Sequence, residues 1–356
     1  MNLEKRIQAF SKLGDRLNEF LSKYDNRGWY SSPDLTMLHQ KVHRAQEHNP
    51  WFTLPHILKA LEAIGSMLEQ DQLQAWTAGY NNLQKDHPPK TIGIVNAGNI
   101  PLVGFHDFLS VLISGHKYYA KLSSKDQHLP GAVASLLTRF EPGFANRIHF
   151  EEDRLSGFDA IIATGSNNTS RYFHYYFGKY PHIIRKNRHG LAVLTGKESA
   201  KELKGLAEDV MLYFGMGCRS VSKVFVPEGY DLTRMLDHFK DYERITDNHK
   251  YANNYDYNKS VFIINQVDHY DTGFLLLKND KRLSSPISTL HYETYCNTGD
   301  IREQIEQQRD QIQCIVSHSD EIPGAIPFGQ AQQPGLSDYA DDVDTLQFLT
   351  SLNQRL

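Results

Sequence analysis

The chain has 356 residues, of which 40% are apolar and 11% aromatic, enough to bury the core of about two domains. Its 38 Lys and Arg residues against 42 Asp and Glu give a net charge of -4, which excludes the strongly basic surface that nucleic-acid binding needs. No apolar run approaches the roughly 18 residues of a spanning helix, so we expect no membrane insertion.

The first 85 residues are predicted to be helical, because their apolar residues recur at intervals of three and four. From Thr91 onward, short β-rich runs alternate with helix-length segments, which predicts a parallel sheet with helices on both faces. These runs are TIGIVN (91–96), KYYAKL (117–122), RIHF (147–150), AIIAT (160–164) and HIIRK (182–186).

A further helix is predicted over residues 195–215, and it leads the chain to Cys218. Downstream, four more runs predict a second sheet. They are SKVFVP (222–227), SVFIIN (260–265), GFLLL (273–277) and CIVSH (314–318).

Familiar catalytic motifs are absent from the sequence. No G-x-G-x-x-G follows the first strand, and neither a P-loop nor a metal-binding C-x-x-C or H-E-x-x-H occurs. No G-x-S-x-G accompanies the α/β pattern, so a serine hydrolase is disfavoured. A cysteine is therefore the best candidate nucleophile.

The three cysteines, Cys218, Cys296 and Cys314, are odd in number and far apart, which predicts reduced thiols and a cytoplasmic protein. Cys218 lies in YFGMGCRSVSKVFV, between two glycines and Arg219, where backbone N–H groups and a positive charge would stabilise a thiolate. Composition alone favours the alternative of a buried, unreactive side chain at all three positions.

Five segments together resemble the aldehyde dehydrogenase superfamily, in the same order along the chain. The last of them continues as PGLSDYADDVDT, which resembles the bacterial fatty acyl-CoA reductases of luminescence operons. The segments are AGNIPLVGFHDFL, KYYAKLSSKD, AIIATGSNNTSR, YFGMGCRSVSKVFVP and IPFGQAQQPGLSDYADDVDTLQFL.

This resemblance implies an α/β, aldehyde dehydrogenase-like fold with a Rossmann-like cofactor domain and a second α/β catalytic domain. The expected ranges are 1–190 for the N-terminal helices and cofactor domain, 191–322 for the catalytic domain, and 323–356 for a segment returning to the cofactor domain. It also implies reduction of a long-chain fatty acyl-CoA to the aldehyde through a thioester on Cys218, with the Asn99 amide stabilising the oxyanion. Without the resemblance, Asn99 reads as a turn residue.

The implied cofactor is NADPH. Ser124 stands where relatives that favour NAD have an acid that would repel a 2′-phosphate, and the cations Lys121 and Lys125 lie close by. A helix N-terminus, which can bind phosphate, follows the fourth predicted strand. An ordinary N-cap and a solvated turn remain the alternatives there. The implied cofactor-binding residues are Lys121, Ser124, Lys125, Thr164, Gly165 and Ser166.

The sequence also departs from aldehyde-oxidising relatives. Arg185 stands near the place of their water-activating glutamate, and Arg282 near the place of the glutamate that holds the nicotinamide ribose. We therefore expect aldehyde rather than acid as product. A thiol acyltransferase or hydrolase without redox chemistry, or a catalytically silent member of the fold, remains an alternative. A homo-oligomer or an acyl-transfer partner protein stays open.

Overall fold

The computed structural model describes residues 1–25, 27–85 and 87–352, and the chain divides into two units. The first unit contains Met1–Lys186 and returns from Gly335 onward, and the second contains Asn187–Pro334. The ranges expected from the sequence for functional domains stay predictions.

The first unit begins with helices, as the apolar periodicity predicts. Asn2 caps the first of them by accepting a hydrogen bond from the Lys5 N–H at 3.0 Å, and Phe10, Leu13 and Leu17 on its inner face are fully buried. Among the described residues, four α-helices precede the first strand: α1 (Leu3–Ser22), α2 (Pro33–His48), α3 (Leu54–Met67) and α4 (Gln70–Ala78).

The first sheet is entirely parallel, in the order β3-β2-β1-β4-β5, which confirms the prediction of a parallel sheet. The carboxyl ends of its strands therefore share one edge, and the strand order reverses between β1 and β4, the place where α/β sheets bind ligands. The strands are β1 (Thr91–Val95), β2 (Lys117–Lys121), β3 (Ile148–Phe150), β4 (Ala160–Thr164) and β5 (His182–Arg185). The connecting helices are α5 (Phe105–Ile113), α6 (His128–Phe140) and α7 (Asn167–Phe177).

The second unit contains a sheet in the order β11-β6-β7-β10-β9-β8, parallel except for the β8–β9 pair. Its strands are β6 (His189–Val193), β7 (Val221–Pro227), β8 (Tyr270–Asp271), β9 (Leu276–Asn279), β10 (Thr289–Tyr295) and β11 (Ile312–Val316). Its helices are α8 (Ala200–Met211), α9 (Leu232–Asp237), α10 (His249–Ile264) and α11 (Thr298–Gln307).

One strand prediction in the second unit is wrong. The run SVFIIN (260–265) forms the end of helix α10, whose cap is Asn248. Tyr251, Tyr255 and Phe262 are buried at helical spacing, so the helix is defined by aromatic residues that begin upstream of the run and continue into it. Strands β6, β8 and β10 were not predicted.

The C-terminal segment packs in the first unit as helix α12 (Thr345–Ser351). Leu346, Leu349 and Leu352 join the hydrophobic core of that unit. The Trp76 indole N–H donates to the Tyr339 hydroxyl at 2.8 Å, which ties the segment before α12 to helix α4. The first unit is thus built from both ends of the described chain.

Candidate active site

Cys218 lies in a turn between helix α8 and strand β7, and the backbone before it is strained. Tyr213, Phe214 and Gly215 have φ of 54°, 58° and 70°, the left-handed region that bulky residues avoid. Burial of the two aromatic rings holds this conformation, and strain of this kind concentrates at functional sites. The turn leaves Cys218 exposed.

The residues on either side of Cys218 are fixed by hydrogen bonds within the second unit. The Ser220 hydroxyl accepts from the Gly217 N–H at 3.1 Å and from the Gln332 side-chain amide at 3.1 Å. The Arg219 guanidinium donates to the Ala331 carbonyl. The loop that contains Ala331 and Gln332 therefore fixes the conformation of the Cys218 turn.

Asp209, on helix α8, holds that loop in turn. Its carboxylate accepts from the Gly329 N–H at 2.7 Å and from the Ala331 N–H at 2.9 Å. Asp209 is fully buried. Burial raises its pKa to about 7, although the two hydrogen bonds act in the opposite direction. A chain of contacts thus joins Asp209 to Ala331, Arg219 and the neighbouring Cys218.

The other two cysteines lie in different surroundings. The Cys296 thiol is exposed and donates to a Glu228 carboxylate oxygen at 3.5 Å, and this hydrogen bond raises the pKa of Cys296. Cys314 is buried in strand β11, with its sulfur 3.5 Å from the Arg219 carbonyl oxygen. All three cysteines are described, and none forms a disulfide. Neither Cys296 nor Cys314 is placed as a reactive thiol requires.

Asn99 lies half-buried in the loop that follows strand β1 in the first unit. Leu102 in this loop has a φ of 55°, and its N–H donates to Asp126 Oδ2 at 2.7 Å. Asp126 Oδ1 has no hydrogen-bond partner among the described residues, and burial raises the Asp126 pKa to about 7. The loop that carries Asn99 is thus fixed by a buried carboxyl group.

Of the predicted cofactor residues, Lys121 is the last residue of strand β2, and Ser124 and Lys125 follow it, next to the Asn99 loop. The Lys121 ammonium donates to the Asp153 carbonyl at 2.6 Å, whereas Ser124 and Lys125 are exposed. The two loops approach so closely that a Cβ on Gly98 would lie 2.3 Å from the Ser123 hydroxyl oxygen. The structure therefore brings the Asn99 loop and the Ser124 loop together.

Thr164, Gly165 and Ser166 connect strand β4 to helix α7. The Ser166 hydroxyl accepts from the Thr169 N–H at 3.2 Å, which makes Ser166 the N-cap of an 11-residue helix. Because β1, β2 and β4 are parallel, this helix N-terminus lies at the same edge as the loops of Asn99 and Ser124. The backbone N–H groups at this helix N-terminus, together with the Ser124 hydroxyl and the Lys125 ammonium, are donors suited to the phosphates of a dinucleotide.

Arg185 is buried at the end of strand β5, where its guanidinium forms a bidentate ion pair with Asp107 at 2.6 and 2.9 Å. It also donates to the Thr345 hydroxyl at 3.0 Å. Arg282, in the second unit, is exposed and pairs with Asp280, whose pKa is held well below its usual range. Neither arginine can act as a base that activates water.

Sequence reasoning missed Asp126 and Asp209 as site residues. The available signal was an acid on the apolar side of a helix, since Asp209 is buried with Leu206 and Val210 on α8.

Within the described ranges, no helix is long and apolar enough to span a bilayer. The same residues hold no group of three His, Cys, Asp or Glu side chains that could bind a metal ion.

A family model described as acyl-CoA reductase (LuxC) matches residues 15–236, which is more than half of the chain. No curated protein matches the chain. Several of the solved structures that resemble it are described as aldehyde dehydrogenases.

Aldehyde dehydrogenase 21 from Physcomitrella patens is 9% identical, with a TM-score of 0.66 over 99% of this chain and 85% of that one. An NAD-dependent aldehyde dehydrogenase from Sinorhizobium meliloti is 14% identical, with a TM-score of 0.60 over 90% and 72% of the two chains. Proline utilization A from Corynebacterium freiburgense is 12% identical, with a TM-score of 0.59 over 92% of this chain but only 38% of that one. These similarities show that the chain has the aldehyde dehydrogenase fold.

Proposed function

Because the chain belongs to the acyl-CoA reductase (LuxC) family, we propose that it reduces a long-chain fatty acyl-CoA to the aldehyde with NADPH. The observation that supports this most directly is the exposed Cys218 in its strained and clamped turn. The family and the fold belong to oxidoreductases that act on acyl and aldehyde groups. The chain length of the acyl group and the choice of NADPH rest on the sequence resemblance.

In the proposed first step, the Cys218 thiolate attacks the thioester carbonyl of acyl-CoA. The tetrahedral oxyanion collapses with loss of the CoA thiolate, leaving the acyl group on the Cys218 sulfur. We propose that the Asn99 amide and the Cys218 backbone N–H donate to this oxyanion. Asn99 holds this role only if the loop conformation set by Asp126 is kept.

A bound nicotinamide cofactor supplies the hydride that reduces the thioester carbonyl. The resulting thiohemiacetal loses the Cys218 thiolate, and the aldehyde is released. The proposed cofactor residues are Lys121, Ser124 and Lys125 for the adenosine end and Thr164, Gly165 and Ser166 for the phosphates. Overall, acyl-CoA, NADPH and one proton give aldehyde, NADP⁺ and CoA.

Water must be kept inactive for this outcome, because hydrolysis of the acyl-enzyme would give fatty acid. The ion pair between Arg185 and Asp107 is consistent with the absence of a base at the place where oxidising relatives have one. We also propose a cytoplasmic location, since three cysteines without a disulfide fit a reducing compartment. A homo-oligomer or a partner protein that exchanges the acyl group is compatible with the proposal.

The test is incubation with acyl-CoAs of several chain lengths and either NADPH or NADH, following cofactor oxidation, CoA release and aldehyde together. We expect equal amounts of the three products, with Cys218→Ala inactive and Cys296→Ala active. CoA release without cofactor oxidation would instead indicate a thiol acyltransferase or hydrolase. No CoA release with any acyl-CoA would indicate a catalytically silent protein.

A further inference from the structure

The end of helix α2 holds the backbone of the Ser124 loop. The His48 Nε2–H donates to the Ser124 carbonyl at 2.7 Å, and the Asn49 side-chain amide donates to the Lys125 carbonyl at 3.3 Å. Asn49 is buried, whereas the side chains of Ser124 and Lys125 are exposed. An element 76 residues away in the sequence therefore builds one wall of this turn.

Helix α2 packs against helix α6, and contacts at the two ends show that the helices are antiparallel. Asp34 at the start of α2 forms an ion pair with Arg139 at the end of α6. At the opposite ends, the rings of His48 and His128 lie edge to face with centroids 5.4 Å apart. The last turns of α2 are thus placed beside the beginning of α6 and the Ser124 loop.

Lys41, Arg44 and His48 are spaced by three and four residues, so they share one face of α2. The His48 ring on that face contacts the His128 ring on α6. In keeping with this contact, the pKa of His128 is lowered by burial and by the nearby charges of His48, Lys41 and Arg44. Lys125 is exposed on the adjoining turn. We call these five residues the basic cluster: Lys41, Arg44, His48, Lys125 and His128.

No carboxylate among the described residues forms an ion pair with any side chain of the basic cluster. Some exposed cations elsewhere do pair, as Lys23 does with Glu19 at 2.8 Å and Lys204 with Asp241 at 3.1 Å. The cationic groups of the basic cluster lie on adjoining elements, which His48 joins through the Ser124 carbonyl and the His128 ring. A bound anion would offset the repulsion between their like charges.

The position of the cluster in the fold indicates which anion it binds. In nucleotide-binding α/β sheets, the carboxyl end of the strand after the first crossover holds the adenosine ribose, with an acid for a ribose hydroxyl or a cation for a ribose phosphate. Here that strand is β2, and the turn after it is Lys-Leu-Ser-Ser-Lys. The next acid, Asp126, is buried and occupied by the Leu102 N–H.

We infer that the basic cluster, with the Ser124 hydroxyl, binds a phosphomonoester on an adenosine ribose, and that this group is the 2′-phosphate of NADPH. The inference rests on the proposed function for the identity of the cofactor, and it assigns helix α2 a direct part in cofactor selection. A phosphomonoester offers nearly two negative charges and three acceptor oxygens, which match the guanidinium and ammonium donors. NADH presents only a neutral hydroxyl at this place.

The inference is tested by calorimetric binding of 2′,5′-ADP, 3′,5′-ADP and 5′-AMP to the full chain, without substrate or turnover. We expect 2′,5′-ADP to bind at least about tenfold more tightly than 5′-AMP, since a hydrogen bond to a charged group contributes that much or more. Arg44→Gln should weaken 2′,5′-ADP by about tenfold and leave 5′-AMP unchanged. Lys117→Gln, at the other end of strand β2, is the control for net charge.

The outcomes separate this inference from the proposed reaction. Selective binding of 2′,5′-ADP that depends on Arg44 supports the basic cluster even if no acyl-CoA is reduced. Equal affinity for 2′,5′-ADP and 5′-AMP would overturn it even if the reductase is active. Preference for 3′,5′-ADP, the phosphate pattern of CoA, would overturn the assignment to the nicotinamide cofactor. Lys125→Gln provides a second variant on a different element, and unchanged selectivity in both variants would contradict the inference.

Discussion

Replacing Asp126 with Asn is expected to change how stability depends on pH. Asp126 is buried, its Oδ2 accepts from the Leu102 N–H at 2.7 Å, and its Oδ1 has no partner among the described residues. The carboxyl group of Asp126 has its pKa raised from 3.8 to about 7 by burial. Asparagine has the same shape and keeps an acceptor for the Leu102 N–H, but it cannot ionise.

The sign follows from proton linkage. Between pH 3.8 and about 7 the folded protein keeps a proton on Asp126 that the unfolded chain has released. The stability from this group is therefore fully present below the unfolded pKa and is lost as pH rises through the folded pKa. For these two pKa values, the loss from pH 5 to pH 8 is about 2 to 3 kcal/mol. The Asp126→Asn variant should lack this loss.

Urea unfolding followed by tryptophan fluorescence measures the effect, because Trp29, Trp51 and Trp76 all lie in the first unit with Asp126. The free energy of unfolding of the native protein minus that of Asp126→Asn should fall by about 2 to 3 kcal/mol from pH 5 to pH 8. Asp15→Asn, at an exposed position of α1, is the matched control and should show no such trend. A difference that stays constant across this range would refute the burial argument.

Three further predictions concern the reaction. Asn99→Ala should lower kcat by about a hundredfold with a much smaller change in KM, the usual loss for one oxyanion donor; an unchanged kcat would leave Asn99 as a turn residue. Because Arg185 is neutralised by Asp107 and offers no base, product analysis should find aldehyde with little fatty acid, and abundant acid would show that another group activates water. Asp209→Ala should lower kcat by about tenfold or more, because both backbone hydrogen bonds to the loop that holds Arg219 are lost. Asp209→Asn should restore part of the rate. Equal kcat in the native protein and both variants would show that Asp209 does not position the Cys218 turn.

The sequence predicted the first sheet well for a physical reason. Strands of a parallel sheet are covered on both faces, so they appear as short continuous apolar runs such as AIIAT, which is strand β4. The second sheet was harder to predict. Strand β10 contains Thr289 and His291, which are buried, and a polar composition hides such a strand. Helix α10 ends in the β-branched run that led to the wrong strand prediction.

The candidate site likewise contains residues that the sequence indicates and residues that only the folded chain brings together. Cys218, Asn99 and the residues after β2 and β4 could be proposed from the sequence because glycine-rich turns and motif order are visible along the chain. Asp209 meets its partner loop 120 residues later, and His48 meets Ser124 76 residues later. A contact over such a distance leaves no local pattern, so the residues that position the site emerge only from the folded chain.

The central claim is that Cys218 carries the acyl group, and intact-protein mass spectrometry tests it most directly. Acyl-CoA added without cofactor should increase the mass by one acyl group, and peptide mapping should place that group on Cys218. Cys296→Ala and Cys314→Ala should still be labelled, Cys218→Ala should not, and later addition of NADPH should remove the label as aldehyde. Acylation that persists in Cys218→Ala, or a label on Cys218 that NADPH fails to release as aldehyde, would contradict the mechanism.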